Sequence, residues 1–323
     1  MTRATTSAVV ATAFGGPEVL ALVDVDPGDP GPGEVLIEVR AAGVNPFDVK
    51  RYSGAFGADP ALLPMRLGFE VSGVVLALGD GAAGAGGGPV GPVAVGDEVI
   101  AFRIDGGYAQ RVVVPVSAVL PKPATMSWEQ AAGLLLTGAT AVHALSAIGL
   151  TRGETVLIHA AAGGVGAMAV QIAVARGARV IGTAGPGRHE FLRGLGAEPV
   201  SYGEGLADRV RALAPGGVDA AIDAVGTDEA VDVSVELVPD RSRIATIAAF
   251  GRGVELGLKV LGNGPGADPG TAIRDAARRE LVDLVTAGAL RVFVTGTYPL
   301  AEAAAAHRAI LDGHARGKLA LIP

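Results

Sequence analysis

The residues with the clearest chemical meaning are the run His159-Ala160-Ala161-Ala162-Gly163-Gly164-Val165-Gly166, which follows the apolar stretch Thr155-Val156-Leu157-Ile158. This order predicts a strand, a tight turn and a helix whose first N–H groups point at a phosphate. Gly163 permits the turn, Gly164 lets the backbone approach a pyrophosphate with no Cβ in the way, and Gly166 lets the helix lie close on the strand. The chain has 49 glycines in 323 residues, so a bare glycine pattern arises readily by composition and the flanks must decide. Val165, Met168, Ile172 and Ala175 recur at helical spacing, Gly177 stands where a C-terminal cap belongs, and Ala178-Arg179-Val180-Ile181-Gly182 reads as the next strand. The whole βαβ unit is present, so a dinucleotide is the expected ligand, with Ala162, Gly163, Gly164 and Val165 at its pyrophosphate.

The end of the second strand bears on which dinucleotide. An NAD site places an Asp or Glu there to accept from the ribose 2′-hydroxyl. Here the chain reads Ile181-Gly182-Thr183-Ala184-Gly185-Pro186-Gly187-Arg188-His189, with no carboxylate before Glu190. Small residues at Gly182 and Thr183 and the guanidinium of Arg188 suit the 2′-phosphate of NADP, which an acid would repel. The alternative for Arg188 is a solvated helix residue.

Composition narrows the classes of partner. A formal charge of -7 and a pI near 5.3 speak against nucleic acid or an anionic membrane surface, both of which need a basic face, and leave a diffusible small molecule. Cysteine is absent, which excludes disulfides and thiolate zinc sites. The histidines at 143, 159, 189, 307 and 314 show no ligand spacing, so the expectation is solvated or core residues and no metal. Residues 1–7 lead into only a short apolar run, and the apolar region Ala131 to Leu150 is interrupted by Thr137, Gly138, Thr140 and His143. A soluble cytoplasmic protein is expected.

The elements that must position these groups follow from the patterning. Up to about residue 120, short alternating runs bounded by Gly and Pro, such as Glu34-Val35-Leu36-Ile37-Glu38-Val39, predict a compact β domain. From Ser127 the period becomes helical, and Ser127 with Gln130 forms a capping box, so a boundary is expected between Pro121 and Ser127. Strands at about 155–160, 178–183, 218–223 and 243–247 alternate with helical stretches, as a doubly wound parallel sheet demands. Strand patterns at Arg291-Val294 and Lys318-Ile322 predict that the chain from about 255 returns to the first domain, leaving 125–254 as the nucleotide domain. Gly79 to Pro92 reads as a low-complexity surface loop.

In order along the chain, Ala42-Gly43-Val44-Asn45-Pro46-Phe47-Asp48, Gly68-Phe69-Glu70-Val71-Ser72-Gly73, Val95-Gly96-Asp97-Glu98-Val99, Leu136-Thr137-Gly138-Ala139-Thr140-Ala141, the glycine turn and Gly317-Lys318 resemble the zinc-independent, zeta-crystallin-like quinone oxidoreductase branch of the medium-chain dehydrogenase/reductase superfamily. The resemblance covers nearly the whole length. It implies an α/β fold, a GroES-like β-barrel domain joined to a Rossmann domain, and a homodimer. Zinc relatives carry a Cys before the early Asp and Gly-His-Glu where this chain has Gly68-Phe69-Glu70; a phenyl ring offers a metal no lone pair. By position, the resemblance puts Thr137 and Thr140 near the pyrophosphate and nicotinamide and Tyr202 on the NADP 2′-phosphate, the alternative for Tyr202 being surface packing. Val225, Ala248 and Phe250, beyond two strand ends, are expected to line the ribose and nicotinamide channel.

Without a metal to polarise a carbonyl, a quinone or an activated alkene is the easier hydride acceptor, because the incoming charge delocalises onto an oxygen that hydrogen-bond donors stabilise. The expectation is NADPH-dependent reduction of a quinone or an α,β-unsaturated carbonyl, with Asn45 either near the oxygen that gains charge or a turn residue before Pro46. Phe56 occupies a position that is commonly tyrosine in such reductases, which leaves Tyr52, Lys50 or water as the proton source; Tyr52 reads equally as a packing residue. The rival readings are an enone or enoyl-thioester reductase and a non-enzymatic NADPH-binding protein.

Overall fold

The structure is a computed structural model that describes residues 5–83, 91–264, 266–313, 315 and 317–323. Much of the low-complexity stretch Gly79 to Pro92 and His314 lie outside the described residues. In chain order the elements are β1 (Thr6–Ala11), β2 (Leu20–Val25), β3 (Glu34–Val44), α1 (Pro46–Tyr52), β4 (Met65–Arg66), β5 (Glu70–Leu78), β6 (Glu98–Phe102), β7 (Arg111–Pro115), β8 (Val119–Pro121) and α2 (Trp128–Ala131). There follow α3 (Leu135–Ala147), β9 (Thr155–His159), α4 (Gly164–Ala175), β10 (Arg179–Thr183), α5 (His189–Gly194), β11 (Glu198–Val200), α6 (Leu206–Leu213), β12 (Ala220–Asp223), α7 (Asp228–Leu237), β13 (Ile244–Thr246), α8 (Phe250–Glu255), β14 (Lys259–Val260) and α9 (Thr271–Thr286). The chain closes with β15 (Val294–Pro299), α10 (Ala303–Leu311) and β16 (Lys318–Ile322).

Two compact units result, residues 1–136 with 292–323, and residues 137–291. The first holds a three-stranded sheet, β2-β1-β4, and a seven-stranded sheet, β15-β16-β3-β5-β6-β8, with β7 also on β3. Strand β3 shows why this part reads as β from the sequence: Val35, Ile37 and Val39 are buried and alternate with outward Glu34, Leu36 and Glu38. Its last four residues are buried on both faces, and the backbone there approaches so closely that a Cβ on Gly43 would lie 2.2 Å from the Ala132 carbonyl.

The second unit is a six-stranded parallel sheet in the order β11-β10-β9-β12-β13-β14, the doubly wound order with β9 as its first strand. All five residues of β9 are buried, as a strand covered by helices on both faces requires. The four expected strands are present, and β11 and β14 add to them. At three and two residues, these edge strands are too short to carry a period.

Three expectations shift. The Ser127–Gln130 capping box is formed, but it caps only the single turn of α2, and the chain restarts as α3. The strand expected at Arg291-Val294 begins at Val294, because the Gln171 side chain takes both backbone groups of Arg291, accepting from its N–H at 2.9 Å and donating to its carbonyl at 3.1 Å. The return to the first unit comes at Val292 rather than near residue 255, and the first boundary falls at 136–137. Residues 255–291 stay with the second unit because α9 packs there: Leu281, fully buried, fills the space at Gly138 where a Cβ would meet it at 2.7 Å, and Glu280 pairs with Arg176 at 2.9 Å.

Truncating Leu281 to alanine removes this packing and is expected to lower unfolding stability by about 2–5 kcal/mol. Urea unfolding of Leu281→Ala checks it, and a loss below about 1 kcal/mol would show that α9 is not held through this side chain.

Candidate active site

The glycine turn of the second unit is assembled by its neighbours. Ala160 takes a left-handed φ of 52°, its carbonyl accepts from Gly163, and Thr183 at the end of β10 docks the turn by accepting from Ala160 through its hydroxyl at 3.1 Å and from Ala161 through its carbonyl at 3.0 Å. Gly182 lies so near that a Cβ would stand 2.7 Å from that of Ala161. Gly166 is the tightest position, since a Cβ would sit 2.2 Å from the Ala160 carbonyl. Helix α4 then starts at Gly164 with Gly163 as N-cap and no side-chain cap, so the first-turn N–H groups of Gly164, Val165 and Gly166 have no partner within the helix. Ala162 completes the turn. A helix N-terminus with glycine at its N-cap and first position fits a pyrophosphate.

Beyond β10 the turn Pro186–Arg188 brings the Arg188 guanidinium 3.9 Å above the Phe191 ring. Tyr202, beyond the neighbouring β11, is 64 % exposed, and its hydroxyl stands 3.5 Å from where a Cβ of Gly185 would be. The two residues expected at a 2′-phosphate thus border the same turn. His189 joins the two loops, its Nε2 lying 3.2 Å from the Ala184 carbonyl and 3.3 Å from the Ser201 hydroxyl.

The ends of β12 and β13 are tied together by Asp223. Its Oδ1 accepts from the N–H groups of Val225 and Gly226, and its Oδ2 accepts from the Thr246 hydroxyl at 2.7 Å, which in turn accepts from Ala248 and Ala249. This closes both loops, the one that carries Val225 and the one that carries Ala248, at the carboxyl edge, with Gly226 packed against Ala248. Phe250 opens α8 and packs on Gly262 and Gly264. Thr137 and Thr140, both buried, lie three residues apart and share one face of α3.

The first unit holds a buried ionic cluster. The Lys318 ammonium donates to Asn45 Oδ1 at 2.5 Å, Glu70 Oε1 at 2.9 Å and the Val44 carbonyl at 3.3 Å. Glu70 Oε1 also accepts from Asn45 Nδ2, and Glu70 Oε2 accepts from the N–H of Leu136 at 2.8 Å. Asn45 directs its amide hydrogens to Glu70 and to the Gly43 carbonyl, so it has none left to donate to a substrate oxygen. The sequence marked Gly317-Lys318 as a motif without a role for the lysine; only the fold brings it to Glu70.

A second buried chain lies in the same unit. Asp48 accepts from the Gly68 N–H and from the Tyr108 hydroxyl, both at 3.2 Å; His307 Nε2 lies 3.0 Å from Tyr108 Oη and its Nδ1 2.9 Å from Tyr52 Oη. A tyrosine has one hydrogen to give, so with Asp48 ionised His307 donates from Nε2 to Tyr108 and accepts from Tyr52 at Nδ1. Tyr52, read as a proton source or as packing, is fully buried with its hydroxyl committed to His307. Burial pushes Asp48 up to about 6, against the lowering by Gly68 and Tyr108, and burial pushes His307 down to about 4. An aromatic run also crosses this unit from buried Phe102 through Phe69 and Phe47 to Phe56, which is 39 % exposed, with centroid spacings of 5.6, 4.5 and 5.7 Å.

Among the described residues no group of three His, Cys, Asp or Glu side chains could hold a metal. His143 is buried between Asp268 and Arg274, and His159 is buried with Nε2 unpartnered and its pKa lowered to about 4 by burial. Where a zinc relative would have a histidine, Phe69 stands, and Glu70 already faces an ammonium; these residues do not fit a catalytic zinc. No helix among the described residues is long and apolar enough to cross a membrane.

A GroES-like unit with a doubly wound nucleotide unit defines a medium-chain dehydrogenase/reductase, and the family comparisons agree. Residues 31–124 match the alcohol dehydrogenase GroES-like domain and residues 195–321 match the zinc-binding dehydrogenase family. The quinone oxidoreductase of Pseudomonas aeruginosa is 35 % identical, covering 96 % of this chain and 98 % of its own. That of Mus musculus is 30 % identical over 96 % of this chain and 95 % of its own. Among solved structures, mycobacterial Rv1454c complexed with NADPH has a TM-score of 0.83 at 32 % identity, covering 98 % of this chain and 100 % of that one. The quinone oxidoreductase from Coxiella burnetii has a TM-score of 0.81 at 32 % identity, covering 99 % and 100 %. The chain belongs to the quinone oxidoreductase branch of this superfamily and is an oxidoreductase.

The two buried titratable groups oppose each other in acid. Asp48 is raised in the fold, so its contribution to stability is full below pH 3.8 and is lost as pH rises through about 6. His307 is lowered, so its contribution is full above pH 6.5 and is lost as pH falls through about 4. At 1.36 kcal/mol per pKa unit each is worth on the order of 3 kcal/mol, and between these limits they nearly cancel. Asp48→Asn leaves His307 unopposed and is expected to lose on the order of 3 kcal/mol more than the parent between pH 6.5 and 4. Denaturant unfolding at three pH values checks this, and parallel curves for the two proteins would refute it.

Proposed function

We propose that this oxidoreductase transfers hydride from NADPH to a quinone or an α,β-unsaturated carbonyl and does so without zinc. The observation that carries the cofactor choice is the end of β10, where no carboxylate stands and where Arg188, stacked on Phe191, and Tyr202 border one turn. A carboxylate there would accept from ribose hydroxyls and repel a phosphate; a guanidinium and a phenol do the reverse. The likeness to a protein solved with NADPH supports the same choice.

When bound, the cofactor supplies the hydride. The residues of this chain hold it: N–H groups of Gly164, Val165 and Gly166 receive the pyrophosphate beside Ala162 and Gly163, Gly182 and Thr183 fix the turn, and Thr137, Thr140, Val225, Ala248 and Phe250 line the remaining half. Asn45 and Tyr52 act as positioning residues, Asn45 for the Lys318–Glu70 pair and Tyr52 for His307. Glu70 and Phe69 offer no metal set, so the acceptor is one that receives hydride without a Lewis acid, and the partly exposed rings of Phe47, Phe56 and Phe69 suit a planar one. Relatives named quinone oxidoreductase support the quinone. The acidic composition without cysteine fits a cytoplasmic enzyme, and the resemblance implies a homodimer.

Titration is expected to give tighter binding of NADPH than of NADH, with Arg188→Ala weakening NADPH by about 10-fold to 100-fold and leaving NADH nearly unchanged. The lower end of that range is expected for a phosphate screened by salt. Equal losses for both cofactors would make Arg188 a structural residue, and a parent that prefers NADH would overturn the cofactor reading. Elemental analysis is expected to find no stoichiometric zinc, and activity to survive chelators; one zinc per chain, lost together with activity, would refute zinc independence.

A further inference from the structure

Arg209 breaks two local rules. It lies in the first turn of α6, where the helix dipole disfavours a cation, and it forms no ion pair among the described residues. All its hydrogen bonds run to main-chain carbonyls of the preceding loop. Nε and Nη2 donate to Ser201 O at 3.2 and 2.9 Å, Nη2 also donates to Gly203 O at 2.8 Å, and Nη1 donates to Glu204 O at 2.6 Å. The loop needs this clamp, because Gly203 and Gly205 both hold left-handed φ values, 101° and 78°, and glycine gives the backbone no side chain to anchor.

The clamp sets the direction of the peptide planes. In a trans peptide the N–H points opposite to the carbonyl of the preceding residue, so drawing the Ser201 carbonyl to Arg209 turns the Tyr202 N–H to the other side of the loop. That N–H has no protein acceptor among the described residues. The Tyr202 side chain stands 64 % exposed, with its hydroxyl over Gly185, one turn from Arg188. The acid that reaches this loop from the first turn of α7, Glu229, is engaged by the Gly203 N–H at 2.8 Å.

We propose that Arg209 is a positioning residue for cofactor selection: by gathering the carbonyls of Ser201, Gly203 and Glu204 it presents the N–H and phenol of Tyr202 to the adenosine 2′-phosphate. This rests on the NADPH reading above. Arg209 acts through the loop, so its effect belongs to the phosphate and is absent with a cofactor that lacks it.

The test is the dissociation constants of NADPH and NADH, at fixed ionic strength, for the parent, Arg209→Met, Arg209→Lys, Tyr202→Phe and the Arg209→Met, Tyr202→Phe double variant. Arg209→Met is expected to weaken NADPH by about threefold to tenfold, the scale of misaligning rather than removing hydrogen bonds to a charged phosphate, with NADH within about twofold. The double variant is expected to match Arg209→Met alone, because the phenol is already misplaced. Arg209→Lys keeps the charge but cannot bridge three carbonyls, so it is expected to lose in the same direction, and it carries the test if the methionine variant fails to fold. Equal losses for both cofactors, additive losses in the double variant, or full retention by lysine would overturn the proposal. A parent that prefers NADH would overturn the cofactor reading and this proposal together. A parent whose NADPH preference depends on Arg188 but not on Arg209 would overturn this proposal alone.

Discussion

An ammonium can stay buried only if its hydrogens find acceptors and a negative charge stands beside it, and Lys318 imposes that condition on three separate segments of the first unit. Its partners come from the end of β3, the residue after it and the start of β5, and the carboxylate it neutralises also receives the first turn of α3. The surrounding backbone must be small where these side chains pass. A Cβ on Gly43 would meet Glu70 at 2.6 Å, and one on Gly133 would meet Lys318 at 3.0 Å. The final strand, the longest strand and the first turn of α3 are therefore held by one cluster whose members cannot be changed singly without leaving a buried charge or a void.

The second unit solves a different problem, which is to leave first-turn N–H groups of a helix available while satisfying the backbone around them. Polar side chains at the sheet's carboxyl edge do the satisfying. Thr183 holds the glycine turn, Asp223 and Thr246 close the two loops beyond it, and Arg209 and Glu229 hold the loop that carries Tyr202. These groups shape the edge through the backbone they hold. The acid at the end of β12 is an example: Asp223 is fully committed to backbone and hydroxyl donors, so it functions as a brace.

The buried chain Asp48, Tyr108, His307 and Tyr52 joins α1 to α10 and fixes Gly68, whose left-handed φ of 95° and contact with Tyr108 exclude any side chain. Gly68 directly precedes Phe69 and Glu70, so this chain also sets the start of β5. With the carboxyl raised and the imidazole lowered, the site holds two titratable groups whose responses to acid offset each other.

The glycine turn, its βαβ setting, the carboxylate-free end of the second strand and the β character of the first 120 residues were legible in the sequence because each is written in local spacing. Burial periodicity located the long strands, but β11 and β14 have too few residues to show a period, and the true start of β15 depends on Gln171, 120 residues earlier, taking the backbone of Arg291. The roles of Asn45 and Tyr52 were ambiguous for the same reason: a residue type states what it can donate, and only the fold states to whom. Lys318 reaches Glu70 across 248 residues and His307 reaches Tyr52 across 255, so no local pattern could announce either pair. The sequence by itself determined the family, through motifs in order along the chain, and the strand, turn and helix around the glycine run, through local spacing, while it put the unit boundaries at 121–127 and near 255 where the fold has 136–137 and 291–292. Tertiary structure alone decided which polar groups remain available for chemistry, because availability depends on partners that chain folding brings from far away.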